Sequence, residues 1–178
     1  MFSWNGRPER HRIASGSARA CAGTDTDVTD TDFMDLALRL AEEAFARGDW
    51  PVAAVVVRDA EVLATGQNRQ NTEGDVTWHA EFDAIRAAMR AHGAARVARA
   101  AIYTTMEPCP MCAGAMKVAG IGRLVLGARH ATLRRTDLGD YSVEQFCRLT
   151  GYDLALVAGV REAECLALRR RWGKDPVR

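Results

Sequence analysis

Two short patterns, His79-Ala80-Glu81 and Pro108-Cys109-Pro110-Met111-Cys112, constrain this chain more than any other feature. Cysteines at i and i+3 lie one helical turn apart when they open a helix, so both sulfurs can face one metal ion. His79 adds a nitrogen ligand. Three protein ligands leave the fourth tetrahedral position of a zinc ion to water, which marks a catalytic rather than a structural site. Such an ion lowers the pKa of its water from about 16 toward 7, making hydroxide available at neutral pH. Glu81, two residues past the ligand, reaches the same cavity without sitting directly above His79. A carboxylate there suits proton transfer from that water. Read alone, Cys-x-x-Cys also describes a redox pair or half of a four-cysteine structural site. Cys21, Cys147 and Cys165 are isolated and form no second pair, so the combined pattern favours the catalytic reading.

The chain's 178 residues suffice for one substantial core and are short for two. With 48% hydrophobic residues and 24 basic against 23 acidic side chains, the composition is neither that of a disordered chain nor that of a strongly basic nucleic-acid binder. Isolated cysteines around one metal-like pair point to a reducing compartment, and no signal-peptide or transmembrane run appears. The expectation is a cytoplasmic protein with no membrane partner. Arg7, Arg10, His11, Arg12 and Arg19 lie among Gly, Ser and Ala, ahead of a polar, acidic tract from Thr24 to Asp32. Residues 1–31 are therefore expected to form a flexible extension and residues 32–178 the folded domain.

Thr31 or Asp32 is positioned to cap a helix over Phe33 to Arg47, with Phe33, Ala37, Leu40, Ala41 and Ala44 as its apolar stripe. Pro51 to Arg58 and Glu61 to Gly66 read as antiparallel strands joined at Asp59-Ala60, and the Val55-Val56-Val57 run reads as buried on both faces. Thr77 is the expected cap of a helix from Trp78 to Gly93. A strand over Ala100 to Thr105 then leads to a short helix over Cys109 to Val118, which puts the ligands at two helix N-termini that favour thiolate and hydroxide. Arg123 to Gly127, Val143 to Leu149, Leu154 to Val157 and Arg161 to Trp172 follow as strand, crossover helix, strand and final helix. Arg169, Arg170 and Arg171 read as the solvated end of that helix. The pattern predicts an α/β fold with a five-stranded mixed sheet covered by helices.

Over about Phe33 to Arg171 the chain resembles the cytidine deaminase-like superfamily of zinc deaminases, in the branch of guanine deaminases and transfer-RNA adenosine deaminases. Besides the two patterns, Pro51-Val52, Gly66-Gln67-Asn68-Arg69, Glu107 through Met116 and Gly127-Ala128-Arg129 carry the resemblance. It implies a three-layer α/β/α cytidine deaminase-like fold, Zn2+ bound by His79, Cys109 and Cys112, and Glu81 as the catalytic proton carrier. It also implies that Asn68 binds the base and that the backbone after Pro51-Val52, at Ala53 and Ala54, helps form the pocket. Asn68 suits the task because its amide donates and accepts at once. His79 borders the same pocket. Ala53 stands where glycine is usual in the branch, and its methyl narrows the pocket floor or pushes the backbone back. Trp78 stands where alanine is usual, either stacking on a base or packing in the core.

The stretch from His130 to Asp140 lacks the lysine- and glycine-containing pattern usual in transfer-RNA adenosine deaminases. Asp137 and Asp140 are candidate acceptors for substrate N–H groups there, and Tyr141 is a candidate stacking residue; loop solvation or helix capping is the competing role for each. The expected reaction is hydrolytic deamination of a nucleobase or nucleoside, foremost a free purine such as guanine, with release of ammonia. Conversion of adenosine to inosine in transfer RNA is the alternative, and a catalytically silent zinc-containing binding protein is the third reading. The resemblance also implies a homodimer, for which Met111, Met116 and Val118 on the Cys109 helix offer an apolar surface.

Overall fold

The computed structural model describes residues 28–135 and 137–173, so most of the expected N-terminal extension lies outside the described residues. Along the chain run α1 (Asp30–Arg47), β1 (Ala53–Arg58), β2 (Glu61–Gln67), α2 (Gln70–Glu73), α3 (Ala80–Val97) and β3 (Ala101–Met106). They are followed by α4 (Pro110–Ala119), β4 (Arg123–Ala128), α5 (Val143–Thr150), β5 (Ala155–Ala158) and α6 (Glu162–Trp172). The strands form one sheet in the order β2-β1-β3-β4-β5. Strand β1 is antiparallel to both β2 and β3, whereas β3, β4 and β5 are mutually parallel. The five-stranded mixed sheet expected from the sequence is present, and each parallel step is bridged by a helix.

Alternation along the central strands sorts the core into two layers. Ala54, Val56, Ile102, Leu124 and Leu126 face a cluster with Ala84 and Ile85 of α3, Met116 of α4 and Val143 of α5. Val55, Val57, Tyr103 and Val125 face the opposite cluster with Phe33 and Met34 of α1 and Cys165 and Leu166 of α6. The uninterrupted valine run of β1 is thereby explained, because successive side chains enter different apolar layers and both faces of the strand are covered. No described helix is long and apolar enough to cross a membrane.

Helix starts differ from the sequence expectation in informative ways. Helix α1 begins earlier, with Thr29 and Asp32 in a reciprocal capping box, so Asp32 serves as the third helical residue instead of the cap. Thr77 does not cap α3: its hydroxyl and backbone N–H both go to Asp75, and His79 takes the N-cap position. The β1–β2 turn is the expected two-residue one, with Asp59 and Ala60 both left-handed. Gly93 adopts a φ of 75° inside α3, so the helix kinks there and continues to Val97 instead of stopping. Gly66 brings β2 against the start of α3, since a Cβ at that position would lie 2.2 Å from the Ala80 carbonyl oxygen and 2.3 Å from the Ala84 nitrogen. That close approach fixes the N-terminus of α3, and with it His79 and Glu81.

Candidate active site

Helices α3 and α4 point their N-termini at a common site: His79 is the N-cap of α3 and Cys109 the N-cap of α4, where Pro110 fills the first turn at no hydrogen-bonding cost. Cys112 follows one turn into α4, fully buried. The sulfurs of Cys109 and Cys112 each lie 3.5 Å from His79 Nδ1. One donor atom from each of the three residues falls within 4.8 Å of the other two. Two sulfurs and one imidazole nitrogen converging at this separation fit a tetrahedral zinc ion with one position open. The Cys109 thiol is held low, at about 4, by hydrogen bonding from Cys112 and then from His79, against the opposing effect of burial. An anionic sulfur there is the form a metal takes.

Glu81 lies in the first turn of α3 and is 3% exposed. Its Oε1 accepts from the Thr104 hydroxyl of β3 at 3.3 Å. Burial pushes its carboxyl above the ordinary range, partly opposed by the nearby His79, as suits a group that both takes and gives a proton near neutral pH.

His79, Cys109 and Glu81 open onto a cavity of about 170 Å³. Asn68 also lines it, and the structure explains how that residue is held. Its backbone N–H donates to the Val52 carbonyl at 3.0 Å, and its own carbonyl accepts from Arg47 Nη2 at 3.0 Å. Its side-chain oxygen accepts from the Gln70 backbone at 3.1 Å, a local turn of the kind asparagine favours, while its amide nitrogen donates to Gln70 Oε1. Buried Asp49 anchors the loop from below by accepting from the Asn71 and Thr72 backbone and the Thr72 hydroxyl.

The side chains of the remaining sequence candidates do not reach the cavity wall. Ala54, the second residue of β1, is fully buried and packs its methyl in the α3-side core, which leaves its backbone as the part able to face the pocket. Trp78 is half-buried, with Arg86 6.0 Å from its ring centroid. Asp137 pairs with Arg135, whose Nε donates to it at 2.9 Å, and Asp140 is exposed. Tyr141 supports the site from behind, its hydroxyl donating to the Pro108 carbonyl at 2.8 Å.

Several wall residues escaped sequence reasoning, among them Trp50, Glu107, His130, Arg135 and Arg169. Arg169 corrects the expectation of a solvated basic run. Arg170 and Arg171 are exposed, but Arg169 is 2% exposed and its guanidinium stacks 4.8 Å from the Trp50 ring centroid. Glu107 is a buried clamp. Its carboxylate accepts from the backbone of His130 and of Val143, each at 3.0 Å, and pairs with Arg129, which in turn pairs with Glu144. Both ends of the loop between β4 and α5 are thus tied to the strand that leads into Cys109.

Fold and donor set together define a zinc-binding site of the deaminase type. Residues 27–128 match the model of the cytidine and deoxycytidylate deaminase zinc-binding region, and the chain belongs to that family. It is 46% identical over 99 residues to the tRNA-specific adenosine deaminase of Agrobacterium fabrum, spanning 56% of this chain and 65% of that relative's length, which is less than two thirds. A solved structure from work on tRNA:A34 deaminases and A-to-I editing at the wobble position of transfer RNA shares 36% identity, with a TM-score of 0.69 over 78% of this chain and 99% of the other. The guanine deaminase of Bacillus subtilis shares 36% identity, with a TM-score of 0.58 over 64% of this chain and 73% of the other.

Proposed function

We propose that this chain deaminates adenosine within transfer RNA to inosine, water replacing the amino group and ammonia leaving. The observation that carries the choice is the cavity wall: Arg135, Arg169 and Trp50 line the same cavity as Asn68 and Glu81, a cationic and aromatic lining that suits a nucleotide. The likeness to the Agrobacterium and wobble-position deaminases supports the same ranking, which reverses the order expected from the near-neutral composition. His79, Cys109 and Cys112 would hold the zinc, which when bound supplies an acidified water as nucleophile at neutral pH. Glu81 would take the water's proton and pass it to a ring nitrogen, then take the second proton, left on the hydroxyl added to the ring, and deliver it to the departing amine. Asn68 holds the base, exchanging its present bonds to Gln70 for bonds to the substrate.

A free purine remains the second reading, favoured by the small cavity and by the likeness to a guanine deaminase. Inosine formation in transfer RNA, run beside ammonia release from guanine, adenine, cytosine and their nucleosides, separates the two. Turnover of the RNA with slow or no release from the small molecules is expected. Silence on RNA with robust guanine turnover would overturn the ranking.

The same reading includes a homodimer. An apolar groove lies between α3 and α4, lined by Phe82, Ile85, Met89, Met111, Ala115 and Val118. Val118 is 90% exposed, whereas Met116, also expected at an interface, is buried in the sheet-side core. Light scattering at micromolar protein should give a mass near twice 19.5 kDa; a monomer over that range would reject the dimer.

A further inference from the structure

The described residues include three histidines, and two of them have evident partners: His79 meets the cysteine sulfurs, and His92 Nε2 lies 3.0 Å from the Leu63 carbonyl oxygen. His130 differs. It is 4% exposed, lines the cavity with His79, Glu81 and Asn68, and neither ring nitrogen has a hydrogen-bond partner. A buried polar group left without a partner costs stability, so an imidazole serving only to pack would be replaceable by an apolar ring. Nor is the residue loosely placed. Its backbone N–H is clamped by Glu107 at 3.0 Å, and the Tyr141 ring, fixed through Pro108, stands 6.1 Å away centroid to centroid.

We propose that His130 is a substrate-recognition residue whose ring hydrogen-bonds the nucleoside bound in the cavity. This rests on the deaminase reading and holds for either substrate class. Burial first, and the nearby Arg135 second, push the imidazole below its usual pKa, so the ring is neutral and offers one donor and one acceptor. That pairing matches a nucleobase edge or a ribose hydroxyl. It matches a phosphate less well, because a neutral ring brings no positive charge to it. Prepositioning by Glu107 and Tyr141 lets His130 bind without first ordering its loop.

The test is steady-state kinetics of His130→Phe and His130→Asn on transfer RNA and, in parallel, on guanine, with zinc content and melting temperature measured on each protein. His130→Phe keeps an aromatic ring and removes both hydrogen-bonding atoms; its KM should rise about tenfold or more, with kcat changed far less. Zinc should stay near one per chain. His130→Asn restores a donor and an acceptor and should recover part of the loss. An unchanged KM in His130→Phe overturns the inference. So does a loss in His130→Asn as large as that in His130→Phe and accompanied by lower melting, which would assign the residue to packing. A wild-type protein that deaminates neither substrate is a different result: it overturns the deaminase reading and this inference with it.

Discussion

Cys112→Ala should reduce bound zinc from about one per chain to near zero and lower turnover by more than about 10⁴-fold, because the nucleophile is lost along with the metal. Cys112 is fully buried, and its sulfur lies 3.5 Å from His79 Nδ1. With it gone, two protein ligands remain, one short of the three that hold catalytic zinc. The fold should survive. The two apolar layers around Ile102, Leu124 and Leu126 and around Val55, Tyr103 and Val125 do not depend on the metal. Metal analysis, circular dichroism and ammonia release on the same preparation check all three statements. Full zinc content in the variant would remove Cys112 from the ligand set.

Glu81→Gln separates proton transfer from metal binding. Glutamine has nearly the volume of glutamate, and its carbonyl oxygen can still accept from the Thr104 hydroxyl that now lies 3.3 Å from Glu81 Oε1. Replacing a buried carboxylate by an amide also avoids stranding a charge. Zinc content and melting temperature should therefore match the wild type. The amide cannot carry a proton, so kcat should fall by about 10² to 10⁴. Near-wild-type kcat with zinc bound would exclude Glu81 as the proton carrier.

What the sequence revealed follows a physical pattern. The metal triad was readable because each ligand group is local: His79 starts one helix, and Cys109 and Cys112 share the first turn of another. The sheet was readable because the valines of β1 and the short apolar runs of β3 and β4 are also local signals. Caps were misplaced where neighbouring polar residues compete for the same donors. Thr29 and Asp32 share one box, and Asp75 draws Thr77 away from α3. The cavity wall was the least readable part, because its members come from distant elements. Nothing local marks Arg169 as different from Arg170, yet the rotation of α6 buries one against Trp50 and exposes the other. The loop after β4 gave the same difficulty. Asp137 and Asp140 carry the obvious charges, but the Glu107 clamp delivers His130 to the cavity instead.

Zinc dependence of deamination tests the central claim most directly. Protein stripped with a chelator should release no ammonia from a substrate that the untreated protein turns over, and about one equivalent of zinc per chain should restore the rate. Full activity in the stripped protein, or a Cys109–Cys112 disulfide in protein that never held zinc, would contradict it.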